Sequence, residues 1–179
     1  MRILGLSGSL RAASSNTAVL QGMITLGLPN LEFELFSQLS ELPHFNPDLD
    51  VEPGPSPVQN FRSELRRAPA VVISTPEYAH GLPGTLKNAL DWVVRSGELY
   101  EKPVAIVNPS PRSAYAQASL VEVLRTMGAR VIDEAAVTLY PSGPLTLAGI
   151  LAAPSLLQPL RASLDALLRV TGSRDGSQR

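Results

Sequence analysis

The chain has no cysteine and only two histidines, His44 and His80, which lie far apart in sequence. A disulfide framework and thiol chemistry are thereby excluded, a zinc site has a poor start, and no metal ligand is assigned. Any redox work has to come from a bound cofactor. An excess of one charge is missing too: 15 basic against 16 acidic side chains leave a net charge of −1, which gives no general attraction to nucleic acid or an anionic membrane. No apolar run approaches the roughly 20 residues of a membrane span, and a strand pattern begins at Ile3 without a charged-then-apolar leader. A cytoplasmic location is expected, with neither nucleic acid nor membrane as partner. Two well-known phosphate motifs are also lacking. There is no G-x-x-x-x-G-K-[ST], and Gly5-Leu6-Ser7-Gly8 does not continue as G-x-G-x-x-G.

What is present is a different phosphate seat. Ile3 to Leu6 would suit a buried strand, which breaks into Ser7-Gly8-Ser9-Leu10-Arg11 and then into a helical segment opening with Ser14, Ser15, Asn16 and Thr17. A helix N-terminus carries unpaired N–H groups and partial positive charge. Ser9, Ser14, Ser15, Asn16 and Thr17 add neutral donors, and Arg11 can add a forked, charged pair of donors. A monophosphate is the ligand this arrangement suits.

Along the rest of the chain, Ser15–Leu26 reads as a helix, 31–36 as a strand and 37–57 as a proline-rich connection. Helix is expected over 58–67, and a strand covered on both faces over 70–74. Then come helix 83–95, strand 104–107, helix 116–127, a fifth strand within 130–139 interrupted near Asp133, and helix 154–170. At 179 residues and 44% hydrophobic, the chain is long enough for one domain, expected over 1–170, with 171–179 as a disordered tail.

Strand and helix in alternation specify a three-layer α/β fold, a doubly wound parallel five-stranded sheet of flavodoxin-like order 2-1-3-4-5. In that order the ligand crevice opens between the carboxyl ends of strands 1 and 3. The phosphate seat follows strand 1, and the loop Thr75 to Gly84, with prolines at 76 and 83 and glycines at 81 and 84, follows strand 3. Tyr78 and His80 are placed to flank a planar ring, and they are weak candidates for proton delivery; no catalytic side chain is assigned. Trp92 is read as core or interface. Arg95, Lys102 and Arg112 are candidate contacts for a 2′-phosphate.

Gly8-Ser9-Leu10-Arg11 with Ser14 and Asn16, Pro76-Glu77-Tyr78, and Gly81-Leu82-Pro83-Gly84 running on to Asp91-Trp92 resemble the NADPH-dependent FMN reductase family, which includes quinone, chromate and azo-dye reductases. The resemblance reaches from strand 1 to about Val131. It implies FMN as cofactor, with Ser9, Arg11, Ser14, Ser15 and Asn16 at its phosphate, Pro76, Glu77, Tyr78, Ala79 and His80 along its ring system and Ser110 approaching from the third loop. It implies NADPH or NADH as hydride donor, a ping-pong route to a small-molecule acceptor, and a homodimer or homotetramer. Ala79 and His80 stand where many members carry Asn then Tyr, and Pro109-Ser110-Pro111-Arg112 replaces a glycine-rich turn. The alternative expectation is a flavodoxin-type electron carrier or a non-catalytic flavin-binding module. Such carriers favour strongly acidic surfaces, and this chain is nearly neutral.

Overall fold

A computed structural model describes residues 1–172. The strands are β1 (Arg2–Ser7), β2 (Glu32–Phe36), β3 (Ala70–Ser74), β4 (Pro103–Asn108), β5 (Arg130–Val131) and β6 (Val137–Thr138). They form one parallel sheet in the expected order β2-β1-β3-β4-β5, with β6 also pairing β4. Helices α1 (Ser15–Thr25), α5 (Leu147–Ala152) and α6 (Pro154–Gly172) cover one face, and α2 (Ser56–Arg67), α3 (Gly84–Asp91) and α4 (Ala114–Thr126) cover the other. β1, β3 and β4 are apolar on both faces because both are covered, whereas edge strand β2 alternates Glu32 and Glu34 outward with Phe33 inward.

The fifth strand is interrupted where expected: two short pieces pair successively to β4, separated by a 3-10 turn at Asp133–Ala135. Ser163 of α6 donates its hydroxyl to the Ala135 carbonyl at 2.5 Å, so the turn is held by the helix and not by strand pairing. Helix α5 was not expected; it is six residues long and starts at a Thr146 cap whose Oγ1 accepts from Gly149 N at 3.1 Å. α6 runs through Gly172, two residues into the expected tail. The remainder of that tail lies outside the described residues.

The proline-rich connection is tied down, not loose. Leu39 and Leu42 are buried, and the Pro43 carbonyl accepts from Trp92 Nε1 at 2.8 Å and Asn88 Nδ2 at 3.0 Å. Asp50 is paired with Arg62 of α2 at 2.6 Å, and both side chains are buried. Trp92 is fully buried, as expected of a core residue. Arg95 donates to the Asp50 carbonyl, and Lys102 donates to the carbonyls of Leu65 and Ala68, both at 2.6 Å, closing the C-terminal end of α2. Both of these candidate phosphate contacts therefore serve the fold.

At the amino end of the sheet, the Arg2 guanidinium is shared by Glu34, at 2.5 Å, and Glu64. Hydrogen bonding to Arg2 holds the Glu34 carboxyl below its usual range. A carboxyl lowered in the folded state contributes stability above its unfolded pKa, and that contribution is lost as acid titrates through the folded value. Replacing Glu34 by Gln is therefore expected to shrink the drop in urea midpoint between about pH 6 and about pH 3. An undiminished drop would mean that the pair is solvated enough to be neutral to stability.

Candidate functional site

The carboxyl ends of β1 and β3 meet through backbone. Gly8 N donates to the Ser74 carbonyl at 2.8 Å, and an added Cβ at Gly8 would lie 2.9 Å from Thr75 Cβ. Only glycine permits this approach, and it brings the two loops against each other. Ser74 Oγ then donates to Asn16 Oδ1 at 3.0 Å, so a buried asparagine in the first turn of α1 is locked to the end of β3. Ser14 is the N-cap, accepting from Thr17 N at 3.3 Å, and Thr17 Oγ1 shares a proton with Ser7 Oγ at 2.8 Å.

Between these loops lies a cavity of about 500 Å³ whose walls include Ser9, Arg11, Ser14, Ser15 and Asn16 on one side and Pro76 and Tyr78 on the other. Seven of the eleven residues expected to bind the cofactor are thus brought together at the switch point. Arg11 is exposed, and its guanidinium has no hydrogen-bond or ion-pair partner among the described residues. Its backbone N–H donates to Ser9 Oγ at 3.3 Å, which shapes the turn ahead of the helix. The amides of the first turn of α1 have no carbonyl a turn earlier within the helix to pair with, and they open onto the same space.

Glu77, Ala79, His80 and Ser110 do not line that cavity. Glu77 turns away and accepts from Ala116 N of α4 at 2.9 Å. Ala79 and His80 form the two-residue tip of a tight turn, with φ of +49° and +58°, closed by paired hydrogen bonds between Tyr78 and Gly81 of 3.1 and 3.0 Å. Both tip residues being left-handed makes this the hairpin turn that prefers Asn-Gly. Left-handed alanine costs about 1–2 kcal/mol, so Ala79→Asn is expected to raise stability by up to about 1 kcal/mol, read as a higher melting temperature. An unchanged or lower melting temperature would mean that the strain is already relieved elsewhere. Ser110 sits in the β4–α4 loop, its N–H bound to Asn108 Oδ1 at 3.0 Å and its Oγ accepting from Arg112 N at 3.3 Å.

Sequence reasoning missed two contributors. Tyr115 of α4 stacks on His80, with ring centroids 4.2 Å apart and planes 15° from parallel. The segment Pro144 to Leu147 walls the cavity, held there by Ser15 Oγ, which accepts from Leu145 N at 2.9 Å. Ser15 therefore positions a remote wall with the hydroxyl that sequence reasoning offers to the phosphate. Neither contact carries a local signal; the second joins residues 130 apart. Among the described residues no group of three or more acidic, His or Cys side chains could hold a metal, and no helix is long and apolar enough to cross a membrane.

The chain has counterparts among known proteins. The family model for NADPH-dependent FMN reductase matches residues 1–140. The NAD(P)H-dependent FMN reductase PA1204 of Pseudomonas aeruginosa is 41% identical over 112 residues, 62% of this chain and 60% of that protein. A quinone reductase of Escherichia coli is 34% identical over 113 residues, again 62% and 60%. The chain thus spans about 60% of the length of these curated relatives. Among solved structures, FerB, a flavoenzyme NAD(P)H:(acceptor) oxidoreductase from Paracoccus denitrificans, matches with a TM-score of 0.70 and 28% identity over 94% of this chain and 97% of that one. A flavodoxin from the domain Archaea shares the fold, with a TM-score of 0.61 at 15% identity over 95% of this chain and 99% of that one. With the family match covering the strand-1 seat, the strand-3 loop and the sheet between them, the chain belongs to the NADPH-dependent FMN reductase family.

Proposed function

We propose that this chain is an FMN-dependent NAD(P)H oxidoreductase. The observation that carries the reading is the seat at the N-terminus of α1. Arg11, without a side-chain partner among the described residues, the hydroxyls of Ser9 and Ser14 and the Ser15 and Asn16 amides at the start of α1 face Pro76 and Tyr78 across one cavity. That donor set fits a monophosphate: it offers charge, neutral hydroxyls and helix amides, and the cavity lining carries no carboxylate of the kind that helps to hold the magnesium of a polyphosphate. The remaining volume, bounded by the stiff strand-3 loop, suits a flat ring joined to that phosphate.

Bound FMN would supply two-electron chemistry, accepting hydride from a nicotinamide and passing the electrons to a second acceptor. The protein's part is to bind, orient and shield. Arg11, Ser9 and Ser14 would hold the phosphate, with Asn16 fixed by Ser74 so that the first turn of α1 stays in register with β3. The backbone of Pro76 and Tyr78 would meet the ring, and no side chain of this chain is needed as a nucleophile. NADPH or NADH would give up its hydride and leave as NADP⁺ or NAD⁺ before a quinone, free flavin, azo compound or metal oxyanion arrives, in a ping-pong order. The working unit is proposed to be a homodimer or homotetramer.

The test is a visible spectrum of the purified protein after addition of FMN, followed by anaerobic titration with NADPH and then NADH. Rapid bleaching of bound flavin is expected, and the faster donor identifies the preferred nicotinamide. Tight FMN binding without bleaching would overturn the reductase in favour of an electron carrier or binding module. No FMN binding would overturn the site as well.

A further inference from the structure

One charged residue of the strand-3 loop has no part in that reading. Its chain neighbours Pro76 and Tyr78 line the cavity, but Glu77 sends its carboxylate to the buried amide of Ala116, 39 residues on, at 2.9 Å. Ala116 is the third residue of α4, and the helix's own N-cap, Ser113, makes no side-chain capping bond. A distant glutamate thus does what a local cap does elsewhere, and it sets a full negative charge at the positive end of the helix. The adjacent residue, Tyr115, stacks on His80 at 4.2 Å. Two ties, one a charge-assisted hydrogen bond and one aromatic, therefore join the same short segments, 77–80 and 115–116. They brace a turn whose tip, Ala79 and His80, holds a left-handed backbone that needs outside support.

We propose that Glu77 is a positioning residue for the flavin site. Its carboxylate clamps the strand-3 loop to the first turn of α4, which fixes Tyr78 on the cavity wall through the turn that carries the His80–Tyr115 pair. Its charge offsets the positive end of α4, which would otherwise favour a ligand that gains negative charge on reduction. The inference rests on the FMN reading above. A glutamate that merely capped α4 would change helix stability and leave flavin properties alone; one that positions the loop changes both, and the two roles of the carboxylate can be separated. Glutamine keeps an acceptor oxygen for Ala116 and removes the charge, whereas alanine removes both.

The experiment compares the full-length wild type, Glu77→Gln and Glu77→Ala. Ring-proton shifts of His80 are read by NMR on the apoprotein, FMN affinity by fluorescence titration, and the midpoint potential of the bound flavin by dye equilibration. In Glu77→Ala the ring-current shift that Tyr115 imposes on His80 is expected to collapse, and FMN to bind about threefold or more weakly. In Glu77→Gln the ring-current shift is retained. Affinity for reduced over oxidised FMN rises by about two- to fivefold, the scale of a charge at a helix end, seen as a positive shift in potential. Wild-type shifts, affinities and potential in both variants overturn the proposal. Should Glu77→Ala fail to fold, an unmoved potential in Glu77→Gln is enough to overturn it. A wild type that binds FMN while the variants are indistinguishable from it refutes Glu77 alone; a wild type that binds none refutes the function on which it rests.

Discussion

Replacing Arg62 by Ala is expected to lower the unfolding free energy by about 3–5 kcal/mol, the cost of leaving one member of a buried ion pair without its partner. Arg62 and Asp50 are 4% and 5% exposed, and the guanidinium holds more than the carboxylate. Its Nη2 donates to Asp50 Oδ1 at 2.6 Å, and its Nε and Nη2 donate to the Trp92 carbonyl at 3.0 and 2.5 Å. One side chain of α2 therefore satisfies both the proline-rich connection and the end of α3. Its removal leaves a carboxylate and a carbonyl in low dielectric without donors, which is why the loss exceeds that of a surface pair. For a chain of this size such a change corresponds to a fall in melting temperature of about 10 °C. Replacing Arg62 and Asp50 together by apolar residues is expected to recover much of the loss, because the penalty is the unpaired charge and not the missing attraction. A single-variant loss below about 1 kcal/mol would show that water reaches Asp50 and that the pair is effectively a surface one.

That network also shows where sequence reading stops. Strand β3 was legible because Ala70 to Ile73 is apolar at every position, which only a strand covered on both faces tolerates. The crevice was legible because two glycine- and proline-marked loops followed strands 1 and 3, and strand order then fixes their meeting. Gly8 was visible as a glycine, but not its reason, the approach of Thr75. The proline-rich connection read as a loop, and it is one; that Pro43 receives two donors and Asp50 a buried cation depends on α2 and α3 lying beneath it, which no local pattern states. Arg95 and Lys102 looked available for a phosphate for the same reason: a basic residue is legible, its backbone partner is not. The interruption of the fifth strand near Asp133 was legible, but what holds it was not. Its division at Asp133–Ala135 is decided by a hydroxyl from α6.

Arg11→Ala is expected to weaken FMN by about 1.5–3 kcal/mol, or roughly 10- to 150-fold in dissociation constant, the range for hydrogen bonds to a charged group. The structure makes this a clean substitution. The Arg11 side chain is exposed and without a partner among the described residues, so stability of the unliganded protein should move by no more than about 0.5 kcal/mol. Any loss then belongs to the ligand. Riboflavin supplies the internal control, since it carries the ring without the phosphate; its affinity should be the same in wild type and variant. Arg11→Lys should fall between the two for FMN, because an ammonium restores charge but not the planar fork that meets two phosphate oxygens at once. Raising the salt concentration should narrow the difference between wild type and Arg11→Ala, as expected for an exposed cation. Equal FMN affinity in wild type and Arg11→Ala would remove the arginine from the phosphate seat and leave the helix amides and hydroxyls to hold the anion alone. Equal losses for FMN and riboflavin would show instead that Arg11 acts on the ring side of the cavity, reversing the direction in which the ligand is proposed to lie.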